Sequence, residues 1–126
     1  MKLRIRDNSI RLRLTRTEVE DLRASGLVEG RTEFPGGFDF TYALESSPAS
    51  IKPGAFFSNN VMSVRLPEAT VLAWATTNQV SIRGEQQLED GSTLGILVEK
   101  DFQCLTERED EDESDMFPNP QAGSSC

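Results

Sequence analysis

The chain has 126 residues, of which 37% are hydrophobic and 27% charged, with a formal net charge of -8. This length suits one domain with an ordinary core, the composition is too apolar for wholesale disorder, and no stretch approaches the roughly 18 apolar residues of a membrane helix. The negative charge disfavours nucleic acid as a partner, because that affinity comes mainly from neutralising phosphates.

Two short runs at the start of the chain, Lys2–Arg6 and Ser9–Leu14, alternate strictly between apolar and basic residues. The alternation predicts two half-buried strands, joined as an antiparallel hairpin by a turn at Asp7-Asn8. Three pairs then face each other: Leu3 and Leu12, Ile5 and Ile10, and Arg4 and Arg11. One face becomes aliphatic (Leu3, Ile5, Ile10, Leu12, Leu14) and the other basic (Lys2, Arg4, Arg6, Arg11, Arg13). Because like charges directly opposite each other repel, we expect an anion or much water over the basic face.

The next segment predicts a helix of about three turns. Thr15 and Glu18 have the spacing of a capping box, in which each side chain bonds the backbone N–H of the other residue. Val19 and Leu22 form a short apolar stripe. Gly26 is a suitable residue to end the helix in the left-handed conformation.

Two extended runs follow, 28–34 and 38–45, and the Pro35-Gly36-Gly37 link predicts a second hairpin. The second run places four large apolar side chains on one face (Phe38, Phe40, Tyr42, Leu44), which is typical of a half-buried strand. Residues 46–54 contain two prolines and three serines and indicate a loop.

Asn59-Asn60 predicts a third hairpin between runs 55–58 and 61–66, since asparagine tolerates left-handed turn conformations. Pro67 then fits the first position of a second helix, whose buried face we expect to come from Val71, Leu72, Trp74 and Ala75. Runs 80–83 and 93–100 are the last predicted strands.

The predicted order is therefore ββαββββαββ with short links. It favours an α+β fold in which a mostly antiparallel sheet of hairpins is packed by two helices. The sequence gives neither the strand order nor a visible internal repeat.

Residues 107–115 hold seven acids and one arginine, so most of the net charge lies there. We predict one α+β domain over residues 1–106 and an acidic, proline-containing tail over residues 107–126, with Phe117 and the prolines holding part of it against the body. The acidic run lacks the glycine and the spaced final glutamate of an EF-hand, which favours a solvated or self-pairing segment over a metal site.

The terminal motifs resemble a family of small uncharacterised bacterial proteins, classed as a domain of unknown function. The motifs are MKLRIR at 1–6, NSIRLRL at 8–14, EKDF at 99–102, Cys104-Leu105, and DxFPNP at 115–120. The likeness covers most of the chain, although position 7 is Asp7 here and glycine in the family pattern. It implies a single-domain bacterial protein and transfers no activity, cofactor or catalytic residue.

The chain contains no histidine, which removes the commonest general base and metal ligand and the serine–histidine and cysteine–histidine nucleophile pairs. Two cysteines without histidine fall short of the usual zinc ligands. We expect Cys104 to be structural and predict no catalytic residue, metal or cofactor. So few cysteines also suit a cytoplasmic protein, the location we expect.

The candidate site is the basic face, with Arg4, Arg6, Arg11 and Arg13 as the anion- or partner-binding residues. The leading hypothesis is a non-enzymatic cytosolic binding module for a small anion or a protein partner, with the acidic tail as a competing cover. One alternative is a small enzyme on a phosphorylated or carboxylated substrate, with Glu99 or Asp101 as the base. Another is a subunit of a larger assembly, which predicts an exposed apolar patch or an unpaired sheet edge.

Overall fold

The computed structural model describes residues 1–102 and 115–118. In chain order the elements are β1 (Lys2–Arg6), β2 (Ser9–Leu14), α1 (Arg16–Ser25), β3 (Leu27–Phe34), β4 (Phe38–Ser47), β5 (Gly54–Ser58), β6 (Val61–Pro67), α2 (Glu68–Ala75), β7 (Ser81–Gln87) and β8 (Thr93–Lys100). The predicted order ββαββββαββ and the α+β class are confirmed.

The strands form two four-stranded sheets, which we call sheet 1 (β1-β2-β8-β7) and sheet 2 (β3-β4-β6-β5). Each of the four hairpins is antiparallel, and each sheet joins its two hairpins through one parallel pair, β2 with β8 or β4 with β6. The helix α1 leads from sheet 1 to sheet 2, and α2 leads back. Both helices therefore lie at one end of the sheets, and the four hairpin turns lie at the other.

The topology repeats within the chain, although the sequence shows no repeat. The first half (β1, β2, α1, β3, β4) and the second half (β5, β6, α2, β7, β8) have the same element order and the same pairing. In each half the second strand ends just before a helix: Leu14 precedes the α1 cap and Leu66 precedes the α2 cap. Counting back from these two residues gives each position of sheet 1 an equivalent in sheet 2.

A single core lies between the inner faces of the sheets and one side of each helix. It is almost wholly aliphatic, with Trp74 as its largest side chain. The Trp74 indole N–H donates to the Val80 carbonyl at 2.9 Å, so this buried donor is satisfied. The buried residues of the core are Ile10, Leu12, Leu14, Val19, Leu22, Val28, Leu44, Met62, Val64, Leu66, Val71, Trp74, Ile82, Ile96 and Val98.

The helix ends follow their sequence signals closely in α1 and less closely in α2. Thr15 and Glu18 form the predicted capping box, and Gly26 ends α1 with a φ of 81°. The prediction that Pro67 is the first helical residue of α2 is wrong. Pro67 has an extended backbone with a ψ of 136°, pairs with Ser47 as the last residue of β6, and occupies the N-cap position.

Burial on the inner faces falls with distance from the helices. Along β4, Leu44 is fully buried, Phe40 and Tyr42 are half-buried, and Phe38 is 66% exposed beside the hairpin turn. The predicted β1–β2 register is confirmed, with Ile5 opposite Ile10. Ile5 nevertheless lies 58% exposed on the outer strand, so the aliphatic face of this hairpin is only partly buried.

Residues 115–118 pack against the helix end of sheet 1 and the start of α1. Arg16 N–H donates to the Asp115 carbonyl at 3.0 Å, and Phe117 N–H donates to the Asp101 carbonyl at 2.9 Å. The rings of Phe102 and Phe117 meet edge to face at 5.7 Å. Hydrogen bonds from the Thr15 and Thr17 side chains lower the pKa of Asp115.

Neither helix in the described ranges has the length and apolar composition needed to cross a membrane.

A candidate anion-binding pocket

Three arginines lie in one row across the outer face of sheet 1. Arg4 on β1 is opposite Arg11 on β2, Arg11 is opposite Leu97 on β8, and Leu97 is opposite Arg83 on β7. Residues in register project to the same side of a sheet. The row is therefore Arg4–Arg11–Leu97–Arg83, with one apolar side chain among three guanidinium groups.

The next row, toward the hairpin turns, has small residues at its centre. It runs Arg6–Ser9–Gly95–Glu85 across the same four strands. The two rows together line a concavity of about 520 Å³ on the outer face. We call this concavity the arginine pocket. Among residues 1–102 and 115–118 it is defined by four arginines (Arg4, Arg6, Arg11, Arg83), a floor (Ser9, Gly95, Leu97) and one acid (Glu85).

Part of the basic charge is neutralised by Glu99, an acid of the neighbouring row. Its Oε1 accepts a hydrogen bond from Arg13 Nε at 2.6 Å and lies 3.1 Å from Arg11 Nε. Because an arginine held at Nε keeps both terminal nitrogens for another partner, Glu99 orients Arg11 without consuming it. Arg4, Arg6 and Arg83 form no ion pair with any carboxylate of residues 1–102 and 115–118.

Sheet 2 provides an internal comparison, because its rows have the same positions in the same topology. The row equivalent to Arg4–Arg11–Leu97–Arg83 is Phe56–Ser63–Ala43–Glu29, and the row equivalent to Arg6–Ser9–Gly95–Glu85 is Ser58–Val61–Thr41–Arg31. The pair Arg13 and Glu99 does have a counterpart, Arg65 and Glu45, whose side chains lie 3.1 Å apart. The fold therefore tolerates neutral and acidic residues in place of the pocket arginines, and the cluster belongs to sheet 1 alone.

Gly95 leaves the pocket floor open although the fold does not require a glycine there. Its φ is outside the left-handed region. A Cβ built on Gly95 would meet Ser9 Cβ at 3.6 Å, an ordinary contact. By contrast, a Cβ on Gly84 would lie 2.7 Å from Pro53, and one on Gly30 would lie 2.3 Å from the Tyr42 ring. Glycine inside a strand costs stability, and at position 95 it leaves open space on the pocket floor.

The structure brings three of the four predicted site residues into the pocket. Arg4, Arg6 and Arg11 line it, whereas Arg13 lies one row away on Glu99. Arg83 was missed. Its position after buried Ile82 in a short alternating run indicates an outward arginine, but only the pairing of β7 with β8 places it beside the others.

The two carboxylates of the enzyme hypothesis lie outside the pocket lining. Glu99 is held between Arg11 and Arg13, one row away from the pocket. Asp101 is 4% exposed and lies 3.2 Å from Lys2 Nζ. Lys100, next to both, is also buried and donates from Nζ to the Thr77 carbonyl at 2.9 Å, and burial lowers its pKa.

Of the acidic run over residues 107–115, the structure describes the last residue, Asp115. Residues 107–114 and both cysteines lie outside the described residues, so the prediction that the run covers the basic face stays a prediction. Asp115 lies at the start of α1, where its Oδ1 accepts a hydrogen bond from Thr17 Oγ1 at 2.9 Å. This is the end of β2 remote from Ser9, roughly 17 Å along the strand at the usual rise per residue. Among residues 1–102 and 115–118, no group of three or more acidic or cysteine side chains could hold a metal ion.

A family model described as a family of unknown function (DUF7009) matches residues 1–121. The chain belongs to this family. The predicted resemblance to a family of unknown function is confirmed, and the match extends across both sheets and residues 115–118. No curated protein and no solved structure matches the chain.

Proposed function

We propose that this protein is a non-enzymatic binding module, and that the arginine pocket receives a small anion or an anionic group of a partner. The observation that carries the proposal is the arrangement of Arg4, Arg6, Arg11 and Arg83 around an uncharged floor. Guanidinium groups make paired hydrogen bonds to carboxylate and phosphate. Three of these four arginines have no described carboxylate partner, so their terminal nitrogens are available to a ligand.

The close placement of like charges in the pocket has an electrostatic cost that a bound anion would relieve. Arg4 and Arg11 are directly opposite on antiparallel strands, where like charges are destabilising. An anion between them replaces this repulsion by two attractions. Ligand binding should therefore raise the melting temperature as well as saturate, because a ligand that binds only the folded state stabilises it.

The proposal is tested by titrating the full chain with citrate and with inorganic phosphate at low salt, followed by amide shifts in ¹H–¹⁵N spectra. We expect saturable shifts centred on Ser9, Gly95 and Leu97, and weaker binding as salt increases. Arg4→Gln and Arg83→Gln should each weaken citrate binding about tenfold or more, since a charge-assisted hydrogen bond contributes roughly 1.5–3 kcal/mol.

The matched control is Arg65→Gln on sheet 2. Arg65 is the equivalent of Arg13, is similarly placed on an outer face, and pairs with Glu45. The Arg65→Gln substitution removes the same unit of charge from the protein and should leave citrate affinity unchanged. If Arg65→Gln and Arg83→Gln weaken binding equally, or if no saturable shift occurs near Gly95, the pocket is not the site.

The proposal includes a bacterial cytoplasm as the location. It rests on the family resemblance and on the presence of only two cysteines in the chain. Fractionation of the source cells tests it. Recovery of the protein outside the cytoplasm contradicts this part of the proposal.

A second candidate function is a subunit of a larger assembly, and one observation favours it. The inner face of sheet 2 extends beyond the core as exposed aromatic side chains: Phe34 at 54%, Phe38 at 66% and Phe57 at 66%. Ile5 of sheet 1 is similarly exposed at the same end. Exposed apolar patches of this kind often mark interfaces. Light scattering of the purified chain tests the self-assembling case, in which Phe38→Ser should lower the molar mass.

A further inference from the structure

The arginine pocket is not uniformly positive. Arg4, Arg6 and Arg11 occupy β1 and β2, whereas β7 contributes Arg83 and Glu85. Glu85 forms no ion pair within the described residues, including with Arg83 two positions away on the same face. The pocket therefore has a wholly cationic side and a side that carries an unneutralised carboxylate.

The residues between these two sides leave the carboxylate unobstructed. Glu85 is directly opposite Gly95, which has no side chain, and Gly95 is opposite Ser9. The Ser9 hydroxyl, which is part of the floor, donates to the Arg6 carbonyl at 2.7 Å. Its oxygen lone pairs therefore stay available to a ligand donor. A ligand on this floor would contact Arg4, Arg6 and Arg11 at one end, and the Glu85 carboxylate beside Arg83 at the other.

Strand spacing sets the size of such a ligand. β1 and β7 are separated by two strands, so the Cα atoms of Arg6 and Glu85 lie about 14 Å apart at the usual strand spacing. Arginine and glutamate side chains each extend over part of that distance. The remaining gap suits a small molecule whose opposite charges are a few bonds apart.

We propose that the ligand of the arginine pocket is a small zwitterion, with an anionic group bound by Arg4, Arg6 and Arg11 and an ammonium group bound by Glu85. This inference rests on the proposed function and adds the chemical class of the ligand. A plain anion would meet only repulsion from Glu85. A molecule that also carries an ammonium group gains a charge-assisted hydrogen bond at that position.

The test is a double-mutant cycle between the ligand and the protein. L-glutamate and glutarate differ by one ammonium group, and both are titrated into the wild-type chain and into Glu85→Gln by calorimetry. We expect Glu85→Gln to weaken glutamate binding and to strengthen glutarate binding. The ratio of the two dissociation constants should change about tenfold in total. Glu29→Gln on the outer face of sheet 2 is the charge-matched control and should leave the ratio unchanged.

Each outcome separates this inference from the proposed function. If citrate and glutarate bind at the pocket but Glu85→Gln leaves the glutamate-to-glutarate ratio unchanged, the zwitterion inference is wrong and the anion-binding proposal stands. If Glu29→Gln changes the ratio as much as Glu85→Gln, the effect is one of net charge and the inference is also wrong. If none of citrate, phosphate, glutarate and glutamate binds, both proposals are wrong.

Discussion

Filling the pocket floor without removing a charge separates stability from binding. In Gly95→Thr, the floor acquires the residue that the equivalent position of sheet 2 already has, Thr41. The backbone at Gly95 suits any residue, and a Cβ there has only an ordinary contact with Ser9. The substitution should therefore be accepted by the fold, while its side chain occupies the space between the arginines.

The free energy of unfolding should rise in Gly95→Thr, whereas the affinity for citrate should fall. Replacing an unstrained strand glycine by a β-branched residue should raise the free energy of unfolding by about 1 kcal/mol, or roughly 3–5 °C in Tm for a chain of this size. Citrate affinity should fall at least about tenfold, equivalent to roughly 1.4 kcal/mol, because the anion can no longer reach the arginines together.

Thermal unfolding by circular dichroism and citrate titration by calorimetry measure the two effects. Gly84→Ala is the contrasting control, because its Cβ would lie 2.7 Å from Pro53 on the inner face. That variant should lose stability and keep its affinity. A Gly95→Thr protein that binds citrate as tightly as the wild type would refute the placement of the ligand on this floor.

Three further predictions concern charged groups around the same sheet. Glu99→Gln should lower citrate affinity by roughly three- to tenfold, because Glu99 orients Arg11. Removal of a negative charge alone would instead strengthen citrate binding. A calorimetric titration distinguishes the two effects by the sign of the change in affinity. Asp115→Ala should lower Tm at neutral pH. The pKa of Asp115 is depressed in the folded state, so this Tm difference should disappear as the pH falls below the ordinary value of 3.8. A difference that persists in acid contradicts a stabilising role for the ionised Asp115 at the start of α1. Burial lowers the pKa of Lys100, so the unfolded chain binds its proton more tightly and stability should increase as the pH approaches 10.5. Denaturant unfolding should show that this increase is lost in Lys100→Met and retained in the exposed control Lys52→Met.

Much of the local structure could be predicted because its signals lie within a few residues of each other. The alternation over residues 2–14 fixed the β1–β2 register down to Arg4 opposite Arg11. The capping box of Thr15 and Glu18 and the left-handed residue Gly26 placed α1 correctly. Pro67 was misplaced by one position, because proline suits the end of an extended strand as well as the first turn of a helix.

The candidate site could be predicted only in part. Its cationic side comes from a single hairpin, whose faces are determined by alternation and a tight turn. Its other side comes from β7 and β8, more than 65 residues later in the chain. No local pattern indicates that β8 lies parallel to β2, so Arg83, Glu85 and Gly95 could not be assigned to the site.

The sequence by itself determined the element order, the α+β class, the basic face and the family, because short-range periodicity, turn residues and terminal motifs carry that information. The division of the strands between two sheets, the repeat of topology and the existence of a pocket were decided by the tertiary structure. The physical reason is that two sheets with equivalent backbones can carry unrelated outer faces. Only long-range pairing brings four arginines, a glycine and the Glu85 carboxylate together on one of them.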